Sequence, residues 1–366
     1  MSGNEDGLKS IVIDIGSGFT KIGFNDLDLT SKVIPTVYSV GKDGKKMYGY
    51  DAISHRKEAS LLKLANREYV EDWDNIAAYW ADCYRTECKT EPSSQPTYVG
   101  IHNSLKKGYK EKLVQVFLEE LKSPGFYVSP NSLLSLYGSG KLVGVVVDVG
   151  EGSTTVSASH EGLLNEHQEC SINLAGQDVN EVIKKALNHK IEDEEFIRNI
   201  KHNKCKIEAD LYLKRNPDVN KMMEQEKDHS YTLPDGSSVT INSDIVTAPT
   251  ILFNPSQIGK RYLGIHELVY ECIMKADYES RRELYSNIVL AGGCFHTPGL
   301  ATALSNQVNA MIPTVFRARF DETENYQSLT CMGGAIVSSM TTFQSNWITK
   351  QMLDEHGPSI VLRKCL

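Results

Sequence analysis

The chain lacks any C-x-x-C pair. Its eight cysteines, Cys83, Cys88, Cys170, Cys205, Cys272, Cys294, Cys331 and Cys365, are scattered. That excludes a zinc module and offers no disulfide framework, which leaves reduced thiols of a cytosolic or nuclear protein. A basic stripe is also missing. The net charge is -8, from 39 Lys and Arg against 47 Asp and Glu, and the basic runs are as short as residues 42–46, so a nucleic-acid polyanion is a poor partner. The longest apolar run, around residues 142–147, is far below the ~20 residues of a membrane span, and residues 1–9 are short, polar and acidic, unlike a secretory leader. Neither a G-x-S-x-G elbow nor an H-E-x-x-H helix occurs, which removes the hydrolase and metalloprotease readings. S-L-Y-G-S-G-K-L, residues 135–142, imitates a P-loop but places Ser135 at the first glycine and Leu142 at the Mg²⁺ hydroxyl, so both the turn and the metal ligand are missing.

What is present is a chain of 366 residues, 40% hydrophobic, long enough for two domains with sizeable cores. The main organisational feature is an internal echo. I-V-I-D-I-G-S-G-F-T-K (residues 11–21) is matched by V-V-V-D-V-G-E-G-S-T-T (residues 145–155), with Asp14, Gly16, Gly18 and Thr20 answering Asp148, Gly150, Gly152 and Thr154 at one constant offset. Each copy reads as a buried strand, a glycine turn and a second strand, the signature of a β-hairpin. Two copies in fixed register predict two similar domains. Residues 109–122 carry Leu113, Val114, Phe117, Leu118 and Leu121 at helical spacing, and strands mixed with amphipathic helices indicate an α/β fold. The crossing between domains is expected at residues 132–141, a short apolar helix ended by Gly138 and Gly140, which serve either as a hinge or as a plain C-cap. The acidic run at 192–195 and the polar stretch to about residue 238 read as a solvated face, and L-P-D-G at 233–236 as a turn between β segments.

A glycine-rich hairpin turn lets backbone amides converge on an anion without Cβ atoms in the way. The aspartate that ends the preceding strand suits a Mg²⁺ that keeps its waters, and Lys21 adds a mobile positive charge for a phosphate. A third element, I-V-L-A-G-G-C-F-H-T-P-G-L (residues 288–300), reads as a strand, the Gly292-Gly293 pair, and a helix start with Thr297 as N-cap and Pro298 at N1. The glycine pair would admit a base and sugar. Together these parts predict a nucleotide clamp.

These residues resemble the superfamily of actin, sugar kinases and heat-shock chaperone ATPases. The ending W-I-T-K-Q-M-L-D-E-H-G-P-S-I-V-L-R-K-C-L (residues 347–366) closely resembles that of actin, as do S-L-Y-G-S-G (135–140), L-A-G-Q-D (174–178) and Y-T-L-P-D-G (231–236). The resemblance runs along nearly the whole chain. It implies the actin-like ATPase fold, two similar α/β domains around a nucleotide cleft: residues 1–138 plus 330–366, with a small subdomain at about 35–59, and residues 139–329, with an insert at about 175–260. It also implies ATP or ADP with Mg²⁺. The nucleotide-binding residues would be Asp14, Gly16, Ser17, Gly18, Phe19 and Lys21 in the first loop, and Asp148, Gly150, Glu151, Gly152 and Ser153 in the second. Gly176, Arg198 and Lys201 would line the cleft, and Gly292, Gly293, Cys294 and His296 the adenosine side. Asp14 and Asp148 would hold the metal through water.

Departures from the family pattern fall at the hydrolytic positions. Actin positions the attacking water with a glutamine, where this chain has Asn131, one methylene shorter; a ~1 Å misplacement of such a group costs on the order of 100-fold in rate. Thr155 stands where actin has a histidine near that water. On the base side His202 replaces a glutamate and Thr297 a tyrosine. The segment 35–59 is shorter than actin's subunit-gripping loop, and the apolar plug becomes P-S-Q-I-G-K-R-Y (255–262), with Lys260 and Arg261 where an interface would bury them at a cost of several kcal/mol if unpaired.

The resulting expectation is an actin-related ATP-binding protein that acts mainly as a structural subunit of a larger assembly, with weak or absent hydrolysis and poor conventional filaments. Its partners would be other subunits of a cytoskeletal, motor-associated, ciliary or chromatin complex, actin or another actin-related protein among them, with no membrane and no direct nucleic acid. The cytoplasm, the cytoskeleton and also the nucleus are the expected locations. The alternatives are an active cytoskeletal ATPase that polymerises through divergent contacts, and a metabolite kinase, against which the actin-like ending argues. Three further readings are bland: residues 264–267 are a packed helix start, Cys365 a surface thiol, and Trp73, Trp80 and Trp347 core residues.

Overall fold

A run of β-branched residues with no polar alternation suits a strand covered on both faces, and Ile11, Val12 and Ile13 are fully buried. A computed structural model of the chain describes residues 9–26, 31–67, 69–70, 72–103, 105, 107–189, 191, 193–207, 229–232, 238–323 and 325–365. The chain divides into two compact units: Met1–Leu142, Glu161–Leu163 and Gln327–Leu366 make one, Val143–His160 and Leu164–Tyr326 the other. Among the described residues no helix is long and apolar enough to cross a membrane.

The first unit is built on a five-stranded sheet in the order Phe126–Pro130, Thr97–Ile101, Ile11–Asp14, Phe19–Phe24, Lys32–Pro35. The second has a sheet in the order Leu163–Ile172, Thr154–His160, Gly144–Val149, Ile288–Ala291, Phe320–Asp321. In each, the central strand is antiparallel to the strand after its glycine turn and parallel to one that arrives much later in the chain. The repeated motif is thus the trace of a repeated topology. Register sharpens it: Asp14 lies opposite Lys21, and Asp148 opposite Thr155. The threonine therefore occupies, in the second hairpin, the place that holds the lysine in the first.

The first unit's core gathers around helix Trp73–Thr86, N-capped by Asp72, whose carboxylate accepts from Asn75 N at 3.0 Å. Trp80 is fully buried and stacks on Phe117 at 5.1 Å, which meets Phe126 at 5.2 Å. Trp347 is buried, and Trp73 is half-buried against Tyr109 at 4.9 Å. The helical periodicity at 109–122 is real but not uniform, since helix Lys107–Gln115 widens into a π turn at Val116–Glu120. Cys365 is not a surface thiol: it is buried in this core, where desolvation raises its pKa to about 12. The turn expected at 233–236 and the stretch 208–228 lie outside the described residues; strands His229–Thr232 and Ser238–Ile241 form an antiparallel pair.

Helix Asn131–Gly138 packs on helix Leu329–Ser339 at very close range. A Cβ on Gly333 would sit 1.8 Å from Leu134 O, and one on Gly138 2.2 Å from Leu329 O. Gly138 is therefore a close-packing residue rather than a hinge or a cap, and Gly140, at φ +75, takes the left-handed turn after the helix. Ser135, the first position of the false P-loop, shares a buried hydroxyl contact of 3.0 Å with Thr330 across this contact. A methyl group on Gly333 would meet backbone that cannot yield, so Gly333→Ala is expected to cost about 3 kcal/mol, read as a lowered urea midpoint; a loss below about 0.5 kcal/mol, the level of a neutral surface change, would show that the two helices have slack.

Candidate functional site

The first unit's candidate residues converge on Asp14, at the buried end of the central strand. Its Oδ2 accepts from Lys21 Nζ at 2.8 Å and its Oδ1 from Asn131 Nδ2 at 3.0 Å, so both carboxylate oxygens are engaged by its own chain. Lys21 reaches it because the hairpin register places the two residues opposite each other. Asn131 reaches it because Pro130 ends the edge strand and the helix begins one residue later. Asn131 Oδ1 fills the space that Gly100 leaves, since a Cβ on that glycine would lie 2.6 Å from it.

The turn itself is held from behind. Thr36, fully buried, donates its hydroxyl to Gly16 O at 2.8 Å, shares a 3.2 Å contact with Thr20, and donates its amide to Gly18 O at 3.0 Å. Gly16 is required by close approach: a Cβ there would lie 2.4 Å from Phe19 O. None of Gly16, Gly18, Gly150 and Gly152 is among the glycines with positive φ. Ser17 and Phe19, both half-buried, complete the turn at its rim.

In the second unit the candidates form a denser cluster. Lys201 is buried and donates to Glu151 Oε2 at 3.2 Å and to Gly176 O at 3.2 Å. Glu151 Oε1 accepts from Asn180 Nδ2 at 3.0 Å. Gly176 N donates to Gly150 O at 3.0 Å, and Cys294 Sγ donates to the same carbonyl at 3.2 Å. A Cβ on Gly176 would lie 2.7 Å from Glu151 Oε2 and 3.0 Å from Lys201 Nζ, so any larger residue there would displace the ends of this ion pair. On Gly150 a Cβ would meet only Ser153 O, at 3.7 Å, which leaves the face of that turn open. Gly150 N is spent inside the turn, on Ser153 O at 3.2 Å.

Helix Glu194–Lys204 presents the cations. Asp193 caps it, accepting from Glu195 N at 3.0 Å and Phe196 N at 3.3 Å, so part of the acidic run, with Asp193 exposed, also starts a helix. Arg198 and Lys201, three apart, share one buried side, and Arg198 pairs with Glu195 at 2.8 Å. Desolvation, then the neighbouring Lys201 and Arg198, hold His202 neutral with a pKa lowered to about 4; its surface is exposed, so the cations are the part of that push that does not depend on burial. His296 is lowered by partial burial and lies edge-on to Tyr326 at 5.5 Å.

Gly292 is needed inside the protein. It sits at φ +94, and a Cβ there would lie 2.4 Å from Val149 O and 2.5 Å from Asp148 Oδ1. Gly293–His296 is a 3-10 turn, and the helix expected to start at Pro298 begins instead at Leu300, after Gly299 at φ +82. Thr297 is not its cap; its amide closes the 3-10 turn on Cys294 O at 2.9 Å. Burial raises the Cys294 thiol to about 12, which leaves it a weak donor rather than a nucleophile.

Thr155 is buried, with its hydroxyl 3.5 Å from Ser171 Oγ on the neighbouring strand. Lys260 is not an unpaired charge: its Nζ lies 2.6 Å from Asp178 Oδ1 and 2.6 Å from Asn173 O, whereas Arg261 beside it is exposed. Sequence reading missed Thr36 and Asn180. Asn180 was findable, because it stands four residues after Gly176 on the same helical face.

Two features fit a nucleotide with a divalent cation. The face of the turn at Gly150 is open, with only Ser153 O within 4 Å of where a Cβ would stand, and in the other unit Asn131 Oδ1 is a buried acceptor with no hydrogen-bond partner among the described residues. No group of three or more His, Cys, Asp or Glu that could hold a metal directly occurs among the described residues. The family model described as actin matches residues 5–192 and 189–366, which together run from residue 5 to the last. The two α/β units with their repeated sheet topology and paired glycine turns are the actin-like fold, and the chain belongs to the actin family.

Proposed function

We propose that this protein binds ATP with Mg²⁺ through its two glycine turns and uses it chiefly to hold its folded form as a subunit of a larger protein assembly, hydrolysing it slowly or not at all. The observation that carries this is the state of Asp14. The pair that would manage the phosphates and metal, Asp14 with Lys21, is in place, while the Asn131 amide that would have to orient water is already donated to Asp14 at 3.0 Å. Retention of nucleotide needs no turnover to matter: a ligand at ~1,000 times its dissociation constant adds about 4 kcal/mol to the folded state. The partners in this reading are subunits of a cytoskeletal, motor-associated, ciliary or chromatin complex, actin or a related protein among them, in the cytoplasm or nucleus. Purified protein is expected to carry ATP through gel filtration and to release phosphate on the order of 100-fold more slowly than muscle-type actin in polymerising buffer. Comparable turnover would sink the proposal.

The second reading is an active cytoskeletal ATPase with altered filament contacts. The Lys260 pairing favours it, because it removes one of the two charges that spoke against an interface there. It requires an ATP-dependent pellet from the pure protein on sedimentation, and a monodisperse monomer in every nucleotide state rules it out.

A further inference from the structure

Residues 173–178, which lead into helix Gly176–Ala186, are gripped from two sides. The second glycine turn and its following strand hold one side: Gly176 N donates to Gly150 O at 3.0 Å, Gln177 N to Glu151 O at 2.8 Å, and Thr154 Oγ1 to Leu174 O at 2.6 Å. On the other side stands Lys260. It follows the 3-10 turn Pro255–Ile258, which Gly259 ends in the left-handed region at φ +73. The Lys260 ammonium bridges Asn173 O and Asp178 Oδ1, each at 2.6 Å. Asp178 spends its other oxygen on Ala175 N at 2.9 Å, and its side chain is 9% exposed against 27% for Lys260. The ammonium thus sets a positive charge on a mostly buried carboxylate and ties it to the Asn173 carbonyl, and an uncharged side chain in its place removes that charge.

We propose that Lys260 is a positioning residue of the second glycine turn. By pinning Asn173 and Asp178, it keeps the Gly176 and Gln177 amides on the Gly150 and Glu151 carbonyls, and so fixes the turn on which phosphate would rest. The inference builds on the ATP-binding reading above. Because binding linkage is reciprocal, anything that settles the turn also settles the segment 255–263 onto Asp178, and release of that segment loosens the turn by the same factor.

The test uses the full chain and its Lys260→Met and Lys260→Arg variants, with hydrogen exchange at residues 173–179 and 255–263 and calorimetric titration with Mg²⁺-ATP. Lys260→Met is expected to speed exchange of the Gly176 and Gln177 amides in the nucleotide-free protein and to weaken ATP binding about fivefold or more. Lys260→Arg keeps a charged donor and is expected to restore both. Wild-type exchange in Lys260→Met overturns the pinning, and faster exchange with unchanged ATP affinity overturns the coupling. If the wild-type chain itself takes up no ATP, the functional reading and the coupling fall together, while the exchange measurement still decides the pinning.

Discussion

Replacing Asn131 by glutamine is expected to raise the rate of phosphate release from bound ATP by about 100-fold, the factor that a ~1 Å displacement of a positioning group commonly costs. The asparagine amide is held at 3.0 Å on Asp14, with its oxygen in the space left by Gly100. One more methylene would carry the amide past that carboxylate, toward the water that the proposed reading has it orient. The variant keeps Asp14, Lys21 and both glycine turns, so nucleotide affinity should stay near wild type while single-turnover hydrolysis accelerates. An unchanged rate with ATP still bound would show that the asparagine is not what restrains catalysis. The buried Thr155, packed toward Ser171, would then be the next position to question.

Lys201→Ala is expected to destabilise the protein by about 3 kcal/mol, the lower end of what breaking a buried ion pair costs, and to abolish measurable ATP binding. The lysine side chain is 9% exposed and that of Glu151 15%, so solvent screens the pair little. Its removal takes the ammonium away from the Glu151 carboxylate, which keeps the bond from the Asn180 amide, and takes one donor from the Gly176 carbonyl. Exchanging both partners for apolar residues, Lys201→Met with Glu151→Leu, should recover much of the stability and none of the binding, because the cost lies in the orphaned charge rather than in the lost pair. Denaturant unfolding of Lys201→Met, of Glu151→Leu and of the double variant closes the cycle. A loss below about 1 kcal/mol for Lys201→Ala, the range of an exposed ion pair, would mean that the cluster is wetter than its burial implies.

Local pattern was enough for the α/β class and the two similar domains, whereas the family came from the resemblance of longer stretches such as residues 347–366 to actin. The periodicities and the repeated D-x-G-x-G-x-T are short-range signals, set by strand burial and hairpin geometry within a few residues of each other. Packing settled the matters that depend on residues far apart in the chain. Gly138 and Gly333, 195 positions apart, are glycines because two helices meet backbone to backbone. Gly292 is a glycine because Asp148 and the Val149 carbonyl crowd it, Cys365 is buried because its helix packs into the first core, and the helix after Gly299 starts late because a 3-10 turn takes the residues before it. The same holds for the charges. Lys260 read alone is a bare cation on a loop, and only the fold brings Asp178 within 2.6 Å of it. Propensity acts between neighbours, whereas pairing and close approach are set by which distant groups the packed core brings together, and the order of residues along the chain does not encode that in any local pattern.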